Sequence, residues 1–434
     1  MNWRHLVADT RPLSNAHFRR LWTANIITVI GAQLTVVAVP AQLYAETGSS
    51  AYVGLSGLFG LVPLVVFGLW GGALADHVDR RKLLIVSTLG IIATSIVYWA
   101  QAAVGATSPW LLLSLFSLQQ AFFAVNQPLR NAILPTLLPV RLLPAANSLN
   151  MTVLMAGGIA GPLIGGAMIP VLGYSWLYLI DSITLCATLA AVWRLPPLPV
   201  TRDDADVANA DARQRGTPGL RSVIDGFVYL RGHPVLLMSF VVDIIAMVFG
   251  MPRALFPELA QVSFGGPPAG GFAFSVLYAA IPLGAVLGGV FSGWVSRVRR
   301  HGRAVIFCIA LWGAGIVGFG LFASLADGGT HPWLLPAAAM LVAAGAADMS
   351  SAAFRQSILQ GAAADEVRGR LQGVFIVVVV GGPRIADVLH GGVSPLIGAA
   401  PTTIAGGMLV LVLLGAVALA VPAFARYDAW AGRA

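Results

Sequence analysis

The chain has 434 residues, of which 57% are hydrophobic and 10% charged, where a typical soluble domain is about 25% charged. That balance excludes an ordinary soluble protein. It also leaves no expectation of an appended catalytic domain: the longest polar stretch, 194–233, has 40 residues, and an independent domain needs at least about 50. The net charge of +8 is informative through where the cations sit rather than through its sign, and nucleic acid is not an expected partner. Cys186 and Cys308 both lie in apolar runs, so no disulfide framework is expected.

A helix needs about 20 predominantly apolar residues to span a bilayer. Apolar runs at 21–43, 51–75, 83–104, 110–129, 151–171 and 174–193 predict six spans before the polar stretch. Six more follow at 234–257, 271–295, 304–325, 334–359, 371–392 and 402–421. The first run is longer than a signal-peptide core and lacks a small-residue cleavage site after it, so it is read as retained. Placing the N-terminus in the cytoplasm puts 22 of the 26 Arg and Lys residues on inner loops and ends, and none on the six outer loops. This asymmetry orients both termini to the cytoplasm.

The two sets of six echo each other. Gly72-Ala-Leu-Ala-Asp76-His-Val-Asp79-Arg80-Arg81-Lys82 follows the second span, and Gly293-Trp-Val-Ser-Arg-Val-Arg-Arg-His-Gly-Arg follows the eighth, an offset of 221 between the two first glycines. Gly165-Gly166 and Gly391-Gly392 repeat at an offset of 226. Near-equal offsets predict an all-α integral membrane fold of two pseudo-symmetric six-helix bundles, at 1–193 and 234–434. Residues 194–233 form the cytoplasmic connector. Within it Leu220, Val223, Ile224 and Phe227 have helical amphipathic spacing, which suits a helix lying on the inner membrane surface.

These residues resemble the major facilitator superfamily over essentially the whole chain. The loop after the second span is similar to the superfamily signature Gly-x-Leu-Ala-Asp-Arg-x-Gly-Arg-Arg/Lys, departing at His77 and Asp79. Gly157-x-x-x-Gly161-Pro162-x-x-Gly165-Gly166 resembles the motif that the superfamily associates with antiporters. Asn15-Ala-His-Phe-Arg-Arg-Leu-Trp, Glu366-Val-Arg-Gly-Arg and Gly382-Pro-Arg-Ile-Ala-Asp look like the branch containing enterobactin exporters and related drug-efflux proteins. The resemblance implies a transporter in a bacterial plasma membrane that works by alternating access, an architecture able to act as a monomer. It implies a cytoplasmic gate at Gly72, Asp76, Arg80 and Arg81, with Arg130 or Arg80 supplying the cation for Asp76. It also implies a central cavity lined by spans 1, 4, 7 and 10. The polar and aromatic candidates there are Gln33, Gln119, Gln120, Asn126, Met247 and Phe249, a lining that suits amphiphilic or aromatic compounds better than sugars or phosphates. For each of them, ordinary burial between helices is an equal alternative.

Enzyme chemistry has no visible basis. A phosphate-cradling Gly-x-x-x-x-Gly-Lys-Ser/Thr loop needs a lysine, and the one lysine, Lys82, follows Asp79-Arg80-Arg81. A His-Glu-x-x-His metal helix and a Gly-x-Ser-x-Gly elbow are both missing. No cofactor and no metal are expected, and the energy source that remains is an ion gradient or the substrate's own.

Eight Arg and Asp residues in the spans or at an inner edge are the candidates: Arg130, Asp181, Asp243, Arg253, Asp348, Arg355, Arg384 and Asp387. Each costs about 2.5–3.5 kcal/mol at membrane depth, on the order of 20 kcal/mol together if unpaired, which exceeds a typical protein's whole stability. Arg384 and Asp387 are three apart and share a helix face, beside Pro383, which lacks a backbone donor; they form the leading constellation, with a structural ion pair as the equal alternative. Asp243 has no opposite charge within a turn. Desolvation favours the protonated form of a buried carboxylate, which makes Asp243 a proton-carrier candidate, with a hydrogen-bonded aspartate at the bundle interface as the alternative. Asp348 is comparable, with Arg355 two turns away as a partner. Asp181 lies nearer the outer end of its span, where interfacial water favours a structural role. The function expected is export of amphiphilic small molecules against inward proton flow, of the multidrug type. The alternatives are a dedicated siderophore exporter and, from another class, a non-transporting membrane sensor or scaffold.

Overall fold

A computed structural model describes residues 9–75, 78–196, 226, 228–268, 270–326, 328, 332–362 and 365–430. Asp76, His77 and the amphipathic connector positions Leu220, Val223, Ile224 and Phe227 lie outside the described residues. The long helices are α1 (Ala16–Thr47), α2 (Ser50–Ala75), α3 (Arg80–Val104), α4 (Pro109–Leu137), α5 (Leu143–Trp193), α6 (Pro234–Phe249), α7 (Gly271–Val290), α8 (His301–Ala326), α9 (Leu334–Ala362), α10 (Asp365–Ile397) and α11 (Ala399–Ala420). Helix α5 holds two passes, because Gly173 at φ 74° and ψ 173° breaks it into limbs of 143–172 and 174–193. Only glycine adopts that conformation at little cost. With both limbs counted, the helices match the twelve expected spans.

Nine segments among the described residues are long and apolar enough to cross a membrane. The second limb of α5, together with α4 and α10, completes the twelve; α4 and α10 are less apolar because they carry Gln119, Gln120, Asn126 and Arg130, and Arg384 and Asp387. Large apolar side chains stay exposed along the helices, among them Leu163, Ile183, Val290 and Leu396. That is the pattern expected where the solvent is lipid rather than water.

The helices cluster into two compact units. The first holds α1 to residue 46, α2 from residue 59, and α3 to α5. Its core joins α3 to the second limb of α5 through stacked Tyr98 and Tyr178, with ring centroids 4.9 Å apart. Asp79, a departure from the superfamily signature, caps α3 by accepting from the backbone N–H groups of Arg81 at 2.8 Å and Lys82 at 3.4 Å, the usual service of an N-terminal aspartate.

The second unit holds α6 to α11 and also residues 47–58 at the start of α2, which belong to the first half by sequence. Its helices approach closely through small residues. A Cβ added at Gly345 would lie 2.2 Å from the Ile281 carbonyl oxygen, and one at Gly284 would lie 2.0 Å from that of Val342. The start of α2 lies against α10 in the same way, since a Cβ at Gly54 or Gly57 would meet the Asp387 or Arg384 carbonyl oxygen at 2.5 or 2.3 Å. Two expected spans end early. The seventh, expected to reach residue 257, stops as a helix at Phe249, where Gly250 and Pro252 interrupt it, and resumes as short turns through Ser263. The eighth, expected to reach residue 295, stops at Val290 and gives way to a 3-10 turn at Ser292–Arg297.

Candidate functional site

In the second unit, Asp243 on α6 and Arg355 on α9 form a salt bridge across the two helices, 2% and 5% exposed. The guanidinium also reaches Asp348, one third exposed, at 3.7 Å. One cation therefore stands between two acids. A cavity of about 10 Å³, lined by Ser239, Phe240, Asp243, Arg355, Leu359 and Phe375, adjoins the pair; it has room for about one water-sized group. Asp243 Oδ2 and Arg355 Nε find no hydrogen-bond partner among the described residues. With both acids ionised the triad carries one uncompensated negative charge, and a single proton neutralises it. Asp243 and Asp348, two of the proton candidates, are thus brought together. The cation that joins them lies on a different helix from Asp243.

The interruption after Phe249 exposes carbonyl groups that a continuous helix would have satisfied. A ring nitrogen of His390 meets one of them, the Phe249 carbonyl, at 3.1 Å, while the Ala246 carbonyl keeps its helical bond from Gly250 at 2.9 Å and accepts a second from the Trp312 indole at 3.2 Å. The following turn places the Arg253 guanidinium 5.6 Å from the Tyr278 ring centroid. On α10, Asp387 is buried at 8% exposure. Its carboxylate accepts from the backbone N–H of Ala254 and faces the guanidinium groups of Arg253 and Arg384. The broken segment and the Pro383 turn of α10 thus meet at one charged cluster, with two cations to one acid among the described residues. Glu258, further along the broken segment, accepts hydroxyl hydrogen bonds from Ser50 at 2.5 Å and Ser394 at 2.8 Å. No sequence pattern pointed to that cluster.

Among the cavity candidates of the second unit, Met247 is buried, with its Cβ 2.8 Å from where a Cβ on Gly382 would stand. Phe249 is half-buried. In the first unit, Asn126 is buried and donates to the hydroxyls of Ser87 at 2.9 Å and Thr88 at 3.0 Å. Gln119 is half-buried and donates to Ser95 at 3.2 Å. Gln33 and Gln120 are half-buried.

Arg130 donates to Asn25 at 2.8 Å and to Thr188 at 3.2 Å, which ties α4 to α1 and to the second limb of α5. Of the gate motif, Gly72 lies in α2 and Arg80 opens α3, while Arg81 donates to the Trp193 carbonyl at the end of α5. The glycines of the antiporter-type motif form one stripe against α1. A Cβ on Gly157, Gly161 or Gly165 would approach Val29, Gln33 or Val37 to 2.2, 2.2 or 2.8 Å. Pro162 and Gly166 are buried beside them. The match of 157, 161 and 165 with 29, 33 and 37 is one turn for one turn. It brings backbone to backbone where a larger residue would hold the helices apart.

Comparison with known proteins places these features. The family model of the Major Facilitator Superfamily matches residues 21–386. Two curated relatives, each an Enterobactin exporter EntS, from Shigella boydii serotype 18 and Escherichia coli O127:H6, are 27% identical over 397 residues, covering 91% of this chain and 89% of theirs. Among solved structures, a point mutant of the nucleoside transporter NupG superimposes with a TM-score of 0.74 at 13% identity, covering 93% of this chain and 99% of that one. A point mutant of the peptide transporter POT in complex with alafosfalin superimposes with a TM-score of 0.71 at 14% identity, covering 94% and 95%. At these identities the structural likeness speaks to fold alone.

Proposed function

Because the chain belongs to the Major Facilitator Superfamily, a family of multi-pass membrane transporters, we propose that it is a proton-driven exporter of amphiphilic small molecules. It would work in a bacterial inner membrane by alternating access, with both termini in the cytoplasm. The observation that carries this reading is the buried Asp243–Arg355 pair with the partly exposed Asp348 within reach of the same guanidinium. An excess negative charge inside a membrane protein is expensive, and binding one proton removes the excess. A proton taken up by Asp243 weakens its hold on Arg355, whose nearest other acid is Asp348. The guanidinium then has two resting places, which makes the α6–α9 seam a two-state element that a proton can bias. Each proton crossing 100 mV yields about 2.3 kcal/mol, enough for a roughly fifty-fold substrate gradient by the rule of tenfold per 1.4 kcal/mol.

A second reading, a dedicated siderophore exporter, is favoured by the relatives named as enterobactin exporters. The cluster of Arg253, Arg384 and Asp387, with two cations to one acid, is compatible with an anionic cargo. Uptake into inverted proteoliposomes decides between the two. With an amphiphilic dye and enterobactin as alternative probes, a proton gradient of the physiological sense is expected to drive dye uptake into the vesicles. Asp243→Asn or Asp387→Asn is expected to reduce gradient-driven uptake at least tenfold. Uptake of enterobactin with no dye transport assigns the narrower reading. Transport of neither probe favours the sensor or scaffold alternative.

A further inference from the structure

Asp181, in the first half of the second limb of α5, takes no part in the mechanism above and sits in a polar pocket of its own. It is 1% exposed. Its Oδ2 accepts two hydroxyl hydrogen bonds, from Thr35 of α1 at 2.7 Å and from Ser95 of α3 at 3.1 Å, and Ser95 is held in turn by Gln119 of α4. Its Oδ1 is buried with no hydrogen-bond partner. No cation forms an ion pair with it among the described residues.

The titratable groups that interact with Asp181 are Tyr98 on α3 and Tyr178 on α5; Tyr174 on α5 and Glu46 on α1 adjoin Tyr178, and Arg130 lies on α4. Arg130 reaches only as far as Thr188, seven residues along α5. Tyr178 donates to Gln42, which bonds Glu46 and Gln101, so this neighbouring network ends on a second acid and brings no cation.

An ionised carboxylate in such a place would leave one oxygen wholly unsatisfied, which is among the costliest arrangements a protein interior can hold. A neutral carboxylic acid needs no counter-charge, and an unpartnered O–H costs far less to bury than an unpartnered charge; Oδ1, which accepts no hydrogen bond, is where its hydrogen would reside. We propose that Asp181 is a second proton-binding site, in the first unit, separate from the Asp243 triad. Releasing the proton breaks the Oδ1–H bond and leaves the electron pair on the carboxylate; the enclosed pocket has to open to water, which takes the proton as hydronium. Thr35 and Ser95 already point hydrogens at Oδ2 and so stabilise the anion that remains. Because the hydroxyls donate toward the carboxyl group, the occupant the geometry favours is a proton and not a metal ion. The site rests on the exporter reading only for its purpose, which would be to let each unit carry a proton.

Infrared spectroscopy of the purified full-length protein in lipid nanodiscs tests the site without requiring transport. At pH 5 the wild type should show the carbonyl stretch of a protonated carboxylic acid that Asp181→Asn loses and that the Asp243→Asn/Asp387→Asn double variant retains. Asparagine still accepts from Thr35 and Ser95 and is close to the acid in shape, so the variant should fold. Raising the pH should abolish the band. Thr35→Val, which removes one donor to the anion, should move the midpoint of that loss upward by about one to two pH units. An Asp181→Asn spectrum superimposable on the wild type at pH 5 overturns the proposal, as does a band that responds to sodium at fixed pH. A wild type whose transport ignores the proton gradient defeats the antiport reading and leaves the infrared result on Asp181 standing.

Discussion

Arg355→Ala is expected to be the most damaging single substitution in the second unit, destabilising the protein by about 3–5 kcal/mol and abolishing transport. The cost comes from what is left behind. Asp243 is 2% exposed, and without the guanidinium it becomes a buried carboxylate with no partner. Asp348 is one third exposed and can be hydrated, so Asp348→Asn should change stability by less than about 1 kcal/mol. A second substitution that neutralises the stranded acid should recover most of the loss, because removing both members of a buried pair is far cheaper than removing one. Thermal unfolding of purified variants in detergent is the measurement. Arg355→Ala should melt well below wild type, and Arg355→Ala/Asp243→Asn should melt close to it. The double variant should still fail to couple transport to protons, which separates the pair's structural contribution from its functional one.

Gly161→Leu should have an effect of similar size in the first unit. A Cβ at residue 161 would stand 2.2 Å from the Gln33 Cβ and 3.5 Å from its Cα, so the obstacle is the root of the side chain, and no rotamer change removes it. Overpacking a well-packed contact costs about 1–3 kcal/mol, and a leucine adds more volume than a single methyl. At Gly157 the atom in the way is a Val29 methyl, and Gly157→Ala should accordingly be milder. A size exchange makes the test specific. Gly161→Ala should lower yield and melting temperature, and combining it with Gln33→Gly should restore part of both, less the cost of about 1 kcal/mol for a glycine inside a helix. Loss of transport without loss of stability in Gly161→Ala would indicate that α1 and α5 move against each other along this stripe.

The spans were legible because bilayer thickness imposes a length on them, and about 20 apolar residues stand out in any composition. The buried charges were legible for the same reason: Asp243, Arg355 and Asp387 are conspicuous against apolar neighbours. Their partners were not. Helical periodicity relates a residue to those three, four or seven positions away on its own helix, so Asp348 and Arg355 could be paired from spacing, whereas Asp243 and Arg355 are 112 residues apart and meet only through the packing of α6 on α9. The end of the seventh span was signalled by Gly250 and Pro252, but an apolar run continues through both, and only the backbone shows that the helix stops. The grouping of residues 47–58 with the second unit depends on Gly54 and Gly57 lying against main-chain atoms of α10, a fit no run of residues announces. Asp181 illustrates the limit of judging depth by position along a span. It was expected near interfacial water and is instead almost wholly enclosed, because hydroxyls from two other helices close over it.

The central claim, that cargo and protons cross by one coupled cycle, is tested most directly by running the cycle backward. Coupling between two ligands is reciprocal, so proteoliposomes loaded with a pH-sensitive dye, given a transported substrate on one side and no imposed pH difference, should develop one. Its sign should correspond to protons moving opposite to the substrate, and it should vanish in Asp243→Asn. A substrate gradient that dissipates across the wild-type protein while internal pH stays constant would contradict the claim.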